Sequence, residues 1–255
     1  MFLERKDFAM QNNQTRGLDS DFYAPTDLFA AAAVADERAG FITKTYLYLF
    51  GAIAALVAIE TILFTTLGDS IKPVAKAMMG TPISWLIVLG AFMAVSWIAN
   101  KWAMNSTSSA MQHAGLGLCV AAWSVLLLPL LCIALEVGGV QLVFSAATAT
   151  AGLFALLTLT VFITRKDFSF MRSFLMFGGF AALGFIATAL LFGFTLGPIF
   201  MYAMIAFMCC YILYDTSNVL HHYRIGQHVA ASLALFASVV TLFWYILQLF
   251  LSREE

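Results

Sequence analysis

Charged side chains are scarce in this sequence. They make up 11% of its 255 residues, where soluble domains carry about 25%. A chain so poor in charge cannot cover its own surface in water, and 62% of it is hydrophobic, with mean hydropathy +0.90. A net charge of −1 removes the basic surface that nucleic-acid binding requires. Cysteines at metal or redox spacing are also missing. Cys119, Cys132, Cys209 and Cys210 all sit in apolar runs with no CxxC, so they read as small core side chains rather than disulfides or ligands. No HExxH, GxSxG or glycine-rich phosphate loop occurs, which leaves the common hydrolase and nucleotide-binding classes without a motif. Nor is there a cleavable signal pattern. Residues 1 to 40 are polar and mixed in charge (Glu4, Arg5, Lys6, Asp7, Arg16, Asp19, Asp21) and read as a mobile, largely disordered cytoplasmic tail. Within it, Thr26-Asp27 followed by Leu28 to Arg38 and closed by Gly40 suggests a short capped helix on the membrane surface.

Long apolar runs, by contrast, are abundant. Stretches able to cross about 30 Å of hydrocarbon fall at residues 44–67, 83–102, 114–135, 139–163, 172–193, 197–220 and 228–251. The expected fold is all-α, a polytopic seven-transmembrane-helix bundle over residues 41 to 255. Turn or charge clusters separate the runs: Gly68 through Pro82, Asn105 to Ser109, Gly138-Gly139, Arg165-Lys166-Asp167, Gly197-Pro198 and Tyr223 to Gln227. Pro198 suits the first turn of a helix, and Pro129 is placed to kink the third span. Small residues at helical spacing, Ser145, Thr148, Gly152 and Ala155 in the fourth span and Gly178-Gly179, Ala182 and Gly184 in the fifth, read as seams of close helix packing.

Orientation follows from the basic residues near the span ends. Arg38, Lys44, Lys101, Arg165, Lys166, Arg172 and Arg224 fall on one side, against Lys72, Lys76 and Arg253 on the other. The reading is amino end inside, carboxyl end outside, in the plasma (inner) membrane if the source is bacterial, and equally compatible with an internal eukaryotic membrane. A G-protein-class receptor would have the opposite orientation. A retinal pump needs a lysine in its seventh helix, and this one has none.

The candidate site is the hairpin of the last two spans. Asp215 lies eleven positions before Gly226 and Ser238 twelve after it, so two antiparallel helices of equal rise bring them to about the same depth. Spacings of three and four put Met208, Tyr211, Asp215, Asn218 and His222 on one face of the sixth helix, and Ser238, Thr241, Tyr245, Gln248 and Ser252 on one face of the seventh. Such stripes face protein or water and not lipid. They fit interhelical hydrogen bonding as well as an ion path. Asp215 could be an interfacial carboxylate neutralised by Lys101, Arg224 or His222, or a gate or cation site. Glu60, with Glu136, could mark the outer half of such a path, or pair with a snorkelling Lys72 or Lys76. His221, His222 and His228 cluster around the turn, which fits solvated turn histidines or, with His113, a metal site. Asp215 and His222 are two turns apart, too far to share a metal while the helix continues.

The run Tyr211-Ile212-Leu213-Tyr214-Asp215-Thr216, continuing Ser217-Asn218-Val219-Leu220-His221-His222-Tyr223, resembles the sixth-helix signature of the Bax inhibitor family. Phe41-Ile42-Thr43-Lys44-Thr45-Tyr46 resembles the entry to its first helix, Thr164 to Phe170 its loop between helices four and five, and Val229 to Phe243 its last helix. The resemblance covers residues 41 to 251. It implies a seven-helix bundle with the last helix central and, as in bacterial members, a proton-sensitive calcium leak in which aspartates on helices six and seven share a proton. Asp215 matches the first aspartate, and Ser238 stands where the second is expected. A serine can donate a hydrogen bond to Asp215 but cannot share a titrating proton with it. The arginine that some members carry on helix two has Lys101 as its nearest equivalent.

The expected function is therefore a cation (calcium) leak or its regulation, with Asp215 as the charged determinant and Ser238, Asn218, Tyr211, Thr241, Tyr245 and Glu60 along the path. No enzyme activity, metal or cofactor is expected. The partners are the lipid bilayer, calcium ions and possible membrane proteins. A non-conducting regulator that binds a quality-control protease or stress-response partner is the alternative, and an intramembrane metallohydrolase the third.

Overall fold

The computed structural model describes residues 29 to 254 apart from 32, 34, 106 and 107. The expected polar tail lies largely outside these residues. Among the described residues seven α-helices form: α1 (Ala35–Met79), α2 (Pro82–Ala103), α3 (Ser109–Val137), α4 (Gly139–Thr164), α5 (Arg172–Phe192), α6 (Pro198–His221) and α7 (His228–Glu254), with one 3-10 turn at Ser169–Met171. Each α-helix contains a stretch long and apolar enough to cross a membrane. The boundaries have local causes. The Thr81 hydroxyl accepts the Ser84 N–H at 3.0 Å ahead of α2, with Pro82 in the first turn, and the Ser108 hydroxyl accepts the Met111 N–H at 3.3 Å ahead of α3. Both are N-caps that satisfy otherwise orphaned donors. The α3 helix passes unbroken through the buried Pro129.

Two expectations about α1 are corrected. The helix does not close at Gly40 as a separate surface segment, but starts at Ala35 and runs through Gly40 into the first span. It also continues past Gly68 to Met79, where a loop was expected. The reason is an amphipathic extension: Ile71, Ala75 and Met78 recur at helical spacing and are buried, with Ile71 and Ala75 clustering with Leu128 and Cys132 of α3. That apolar contact favours the helix despite Pro73 within it.

The last helix is the centre, as expected. In α7, 72% of the apolar stretch is buried, against 61% in α3 and 28% or less in the others. It packs on α1, α2, α3, α4 and α6. Large apolar side chains such as Phe174, Phe177, Phe180 and Phe185 of α5 and Ile83 and Ile87 of α2 are exposed instead. In a bundle with seven spanning stretches this is the face for lipid.

The small-residue seams divide. A Cβ on Gly178 would lie 2.5 Å from the Phe207 ring, so α5 and α6 do use that glycine to approach. The α4 seam is corrected: Gly152 has open space around it, and Ser145 and Thr148 return their hydroxyls to their own helix. The packing face of α4 is Ala146, Thr150, Phe154 and Val161. The closest approach to another helix's backbone belongs to Gly115, where a Cβ would stand 2.6 Å from the Ala99 carbonyl oxygen and 2.7 Å from the Ala103 nitrogen. Those are backbone atoms that cannot rotate aside. Gly115→Ala is expected to separate α2 from α3 and cost about 1–3 kcal/mol, measured as a lower melting temperature in detergent. Gly117→Ala, which meets nothing within 4 Å, is the control and should leave it unchanged.

Candidate functional site

The hairpin of α6 and α7 turns at Gly226, whose φ of 100° is the left-handed region glycine tolerates. Reciprocal bonds close the turn: the Arg224 N–H donates to the Gln227 side-chain oxygen and the Gln227 N–H to the Arg224 carbonyl, both at 3.0 Å. From this pivot the helices run back side by side, and the Ser238 hydroxyl donates to the Asp215 carboxylate at 2.5 Å. Asp215 is 8% exposed and Ser238 5%. Their surroundings are apolar: Ile212, Val219, Leu235 and Leu242 are fully buried on the same two helices. The depth match read from the spacing therefore corresponds to a direct contact.

The expected charge partners of Asp215 are elsewhere. Among the described residues the ion pairs are Asp167–His222 and Lys72–Glu136, and neither includes Asp215. His222 reaches Asp167 at 3.0 Å because its side chain leaves the end of α6 toward the α4–α5 loop. Lys101 lies 5.2 Å from the centre of the Trp97 ring, one turn back on its own helix. The Arg224 guanidinium lies 5.6 Å from the Phe29 ring. Near the turn, burial pushes the Tyr223 phenol up, and the neighbouring Asp215 and Tyr214 add to it.

The rest of the stripe is split. The Thr241 hydroxyl donates to the Ala237 carbonyl of its own helix at 2.7 Å. Tyr245 is buried edge-on against Phe200, and Tyr211 packs edge-on against Phe207, its hydroxyl on the Gly179 side, toward α5. Asn218 lines a cleft of about 320 Å³ with Tyr214, Ser169, Arg172, His222, Tyr223, Gln227 and Met104. This cleft opens at the basic end of the bundle, the end that carries Lys101, Arg165, Lys166, Arg172 and Arg224. Glu60 is far from this group in the fold. It is 8% exposed on α1, its two carboxylate oxygens have no hydrogen-bond partner, and Lys72, one of its expected partners, pairs instead with Glu136 at 3.9 Å.

The histidines do not form one cluster. The His221 Nδ1 donates to the Ser217 carbonyl at 3.0 Å, and His222 bonds Asp167. His228 lies 5.1 Å, ring to ring, from Tyr48, which in turn bonds His113 Nε2 at 2.7 Å. Because His113 Nδ1 donates to the Ser109 carbonyl at 2.6 Å, a neutral ring leaves Nε2 to accept the Tyr48 hydroxyl.

Three features were not singled out in the sequence. Ser217 accepts the Phe168 N–H at 2.9 Å and so ties the α4–α5 loop to α6. Asp167 caps that loop by accepting the Ser169 N–H at 2.8 Å. The Ala30 N–H donates to the Tyr223 carbonyl at 2.9 Å, beside an antiparallel bridge of Phe29 and Arg224. An Asp-x-Ser turn was readable in principle, whereas the Ala30 contact joins residues nearly two hundred positions apart and leaves no local signal.

Two predictions follow from these geometries. Ser238→Ala leaves a buried carboxyl without its donor and should cost about 1–3 kcal/mol, read as a lower melting temperature, with Ser238→Thr close to wild type. For Asp167, slight burial raises the carboxyl, but the Ser169 N–H and hydroxyl and His222 outweigh it and hold it below the usual carboxylate range. Its contribution is therefore complete above that range and lost as pH falls through the lowered folded value. Amide-exchange protection at residues 165–171 should drop below about pH 4. Asp167→Asn should lower it at neutral pH by at most about fivefold, as suits a half-exposed pair, and remove the pH step.

The chain matches the family described as Inhibitor of apoptosis-promoting Bax1 over residues 38–255. It is 33% identical over 113 residues to an uncharacterized protein of Pseudomonas aeruginosa, covering 44% of this chain and 50% of that protein. It is 33% identical over 114 residues to Bax inhibitor 1 of Schizosaccharomyces pombe (43% and 42%) and 31% identical over 121 residues to Protein LIFEGUARD 4 of Arabidopsis thaliana (45% and 48%). The chain spans about half the length of the curated relatives it matches.

Proposed function

The chain belongs to the Bax inhibitor family, and from that premise we propose that it is a non-enzymatic membrane protein that passes cations slowly, calcium among them, along a path between α6 and α7. In this reading the basic end faces the cytoplasm and the carboxyl end of α7 the opposite side. The observation that carries it is Asp215: a buried carboxylate of α6 that meets α7, the most buried helix, held there by one serine hydroxyl and by no ion pair among the described residues. Such a group keeps its charge available to a passing ion, whereas a permanent salt bridge would occupy it. The cleft that includes Asn218 supplies polar access from the basic end, and Glu60 gives the opposite half a second acid. With serine opposite Asp215 there is no second carboxylate to share a proton, so passage responds weakly to pH.

A non-conducting regulator is the second reading, and the bond from Ala30 to the Tyr223 carbonyl favours it. Through that bond, a membrane protein or stress-response partner that engages the amino-terminal segment reaches the turn beneath Asp215 with no ion moving. An intramembrane metallohydrolase has less behind it, because the three turn histidines go to different partners.

Calcium entry into dye-loaded liposomes holding the purified protein tests the first reading, at two pH values. Wild type should exceed empty liposomes. Asp215→Asn and Asp215→Ala should each lower the rate at least about tenfold, the equivalent of ~1.4 kcal/mol, and Ser238→Asp should make it steeply pH-dependent. No flux in wild type and in Ser238→Asp would overturn the leak. The regulator reading then predicts that removing residues 1 to 38, and not Asp215→Asn, abolishes capture of a membrane partner.

A further inference from the structure

The cleft at the basic end is unevenly supplied with charge and with hydrogen-bonding groups. It lies between the end of α2 (Met104), the 3-10 turn and start of α5 (Ser169, Arg172), the last turns of α6 (Tyr214, Asn218) and the α6–α7 turn (Gln227), and has a volume of about 320 Å³. Arg172 is the permanently charged residue in its lining, and among the described residues no acid pairs with it. Asp167, five positions earlier in the chain, is already occupied: it accepts the Ser169 N–H at 2.8 Å and bonds His222 at 3.0 Å. Acceptors are used up in the same way. The Gln227 side-chain oxygen takes the Arg224 N–H at 3.0 Å, and the Asn218 backbone carbonyl takes the N–H groups of His222 and Tyr223 at 2.8 and 3.0 Å. What the lining still offers is one guanidinium, the amide N–H groups of Gln227 and Asn218, and hydroxyls able to donate. Such a wall fits an anion. A cation would meet Arg172, and a neutral guest would leave the guanidinium without a counter-charge. A planar guanidinium beside amide and hydroxyl donors suits a phosphate.

A phosphate at this place has two sources, a soluble phosphate and the headgroup of a lipid. The surroundings favour the lipid. Arg172, Met176 and Phe180 follow one another at i, i+4 and i+8 on α5 and so form one row, in which Met176 and Phe180 are 48% and 68% exposed. On a spanning helix that row faces hydrocarbon, and Arg172 heads it at the helix end, where headgroups lie. Met104, across the cleft, is exposed too. The cleft is therefore continuous with the lipid-facing surface. Lys101, Arg165, Lys166 and Arg224 at the same end add a positive field that draws anionic lipid. A zwitterionic headgroup would bring an ammonium to a wall without a free acid.

We propose that this cleft is the headgroup site for one anionic phospholipid of the leaflet at the basic end. Arg172 pairs with the phosphate, Asn218, Gln227 and Ser169 donate to headgroup oxygens, and an acyl chain runs along Met176 and Phe180. The bound phosphate neutralises an otherwise cationic cleft and removes the positive charge that an entering cation would meet. That consequence rests on the pathway reading above, while the site itself does not.

The test measures phosphatidylglycerol retained by the purified full-length protein, read by native mass spectrometry, and the melting temperature in phosphatidylcholine nanodiscs with and without phosphatidylglycerol. Wild type should retain phosphatidylglycerol in preference to phosphatidylcholine and melt higher when it is present. Arg172→Gln should weaken retention roughly tenfold or more, the loss of a charge-assisted hydrogen bond, and abolish the melting shift; Arg172→Lys should restore both in part. Asn218→Ala should weaken retention by a smaller factor, and it carries the test if Arg172→Gln fails to fold in phosphatidylcholine alone. Lys166→Gln, which removes the same charge from the same end outside the cleft lining, should change neither. Equal effects of Arg172→Gln and Lys166→Gln, or none from either, would mean general attraction to the basic end and overturn the site. Displacement of the lipid by an equal concentration of glycerol phosphate would assign the cleft to a soluble phosphate and overturn the lipid. Neither readout involves flux, so failure of the leak leaves this site standing, and its failure leaves the leak untouched.

Discussion

In a membrane bundle a helix uses its backbone polar groups on its own ladder, and an ionisable side chain among its apolar neighbours must be met from another helix. Here that requirement falls on Asp215, and the Ser238 hydroxyl meets it from the neighbouring helix of the hairpin. Much of the architecture is consistent with keeping this contact inside protein. The α7 helix that carries Ser238 is enclosed by five others, and the glycine turn at Gly226 sets the two helices in the register that makes the contact.

Polar groups elsewhere in the bundle are handled in two ways. Most helical hydroxyls fold back onto their own carbonyls, which makes them nearly apolar toward lipid, as Thr148 and Thr188 do on outward faces. Among the described residues, the groups left without this solution lie in the interior: Glu60, and the Tyr46, Ser96, Thr158 and Thr216 hydroxyls. At the basic end a third arrangement holds the loops. Ser217, Asp167 and His222 fasten the α4–α5 connection to α6, and Ala30 fastens the start of the described chain to the α6–α7 turn. The layer around Asp215 is thus bounded on its basic side by loops bonded to one another rather than by loose connections.

The legible part of this protein was the part governed by local chemistry. Seven apolar stretches follow from the length needed to cross hydrocarbon, and the hairpin register from equal rise on either side of one glycine. Misreadings arose where two signals were locally alike. Gly68 through Pro82 has the composition of a loop, yet Ile71 and Ala75 find apolar partners on α3 and keep the chain helical. The small residues of α4 have the spacing of a packing seam, but Gly152 has open space around it while the neighbouring face with Ala146 and Thr150 is buried. His222 is near Asp215 in sequence and belongs to Asp167, fifty-five residues away, because a side chain at a helix end is free to turn outward to a loop.

By itself the sequence determined the number of membrane-crossing stretches, the asymmetry of basic charge between their ends, and the equal depth of Asp215 and Ser238, because each depends only on composition or on counting residues along a helix. The tertiary structure decided which helix is central, which glycine permits close approach, and which polar groups meet or stay unpaired. Those outcomes depend on how each helix is rotated about its axis, and rotation is settled by the simultaneous packing of all seven rather than by any one segment.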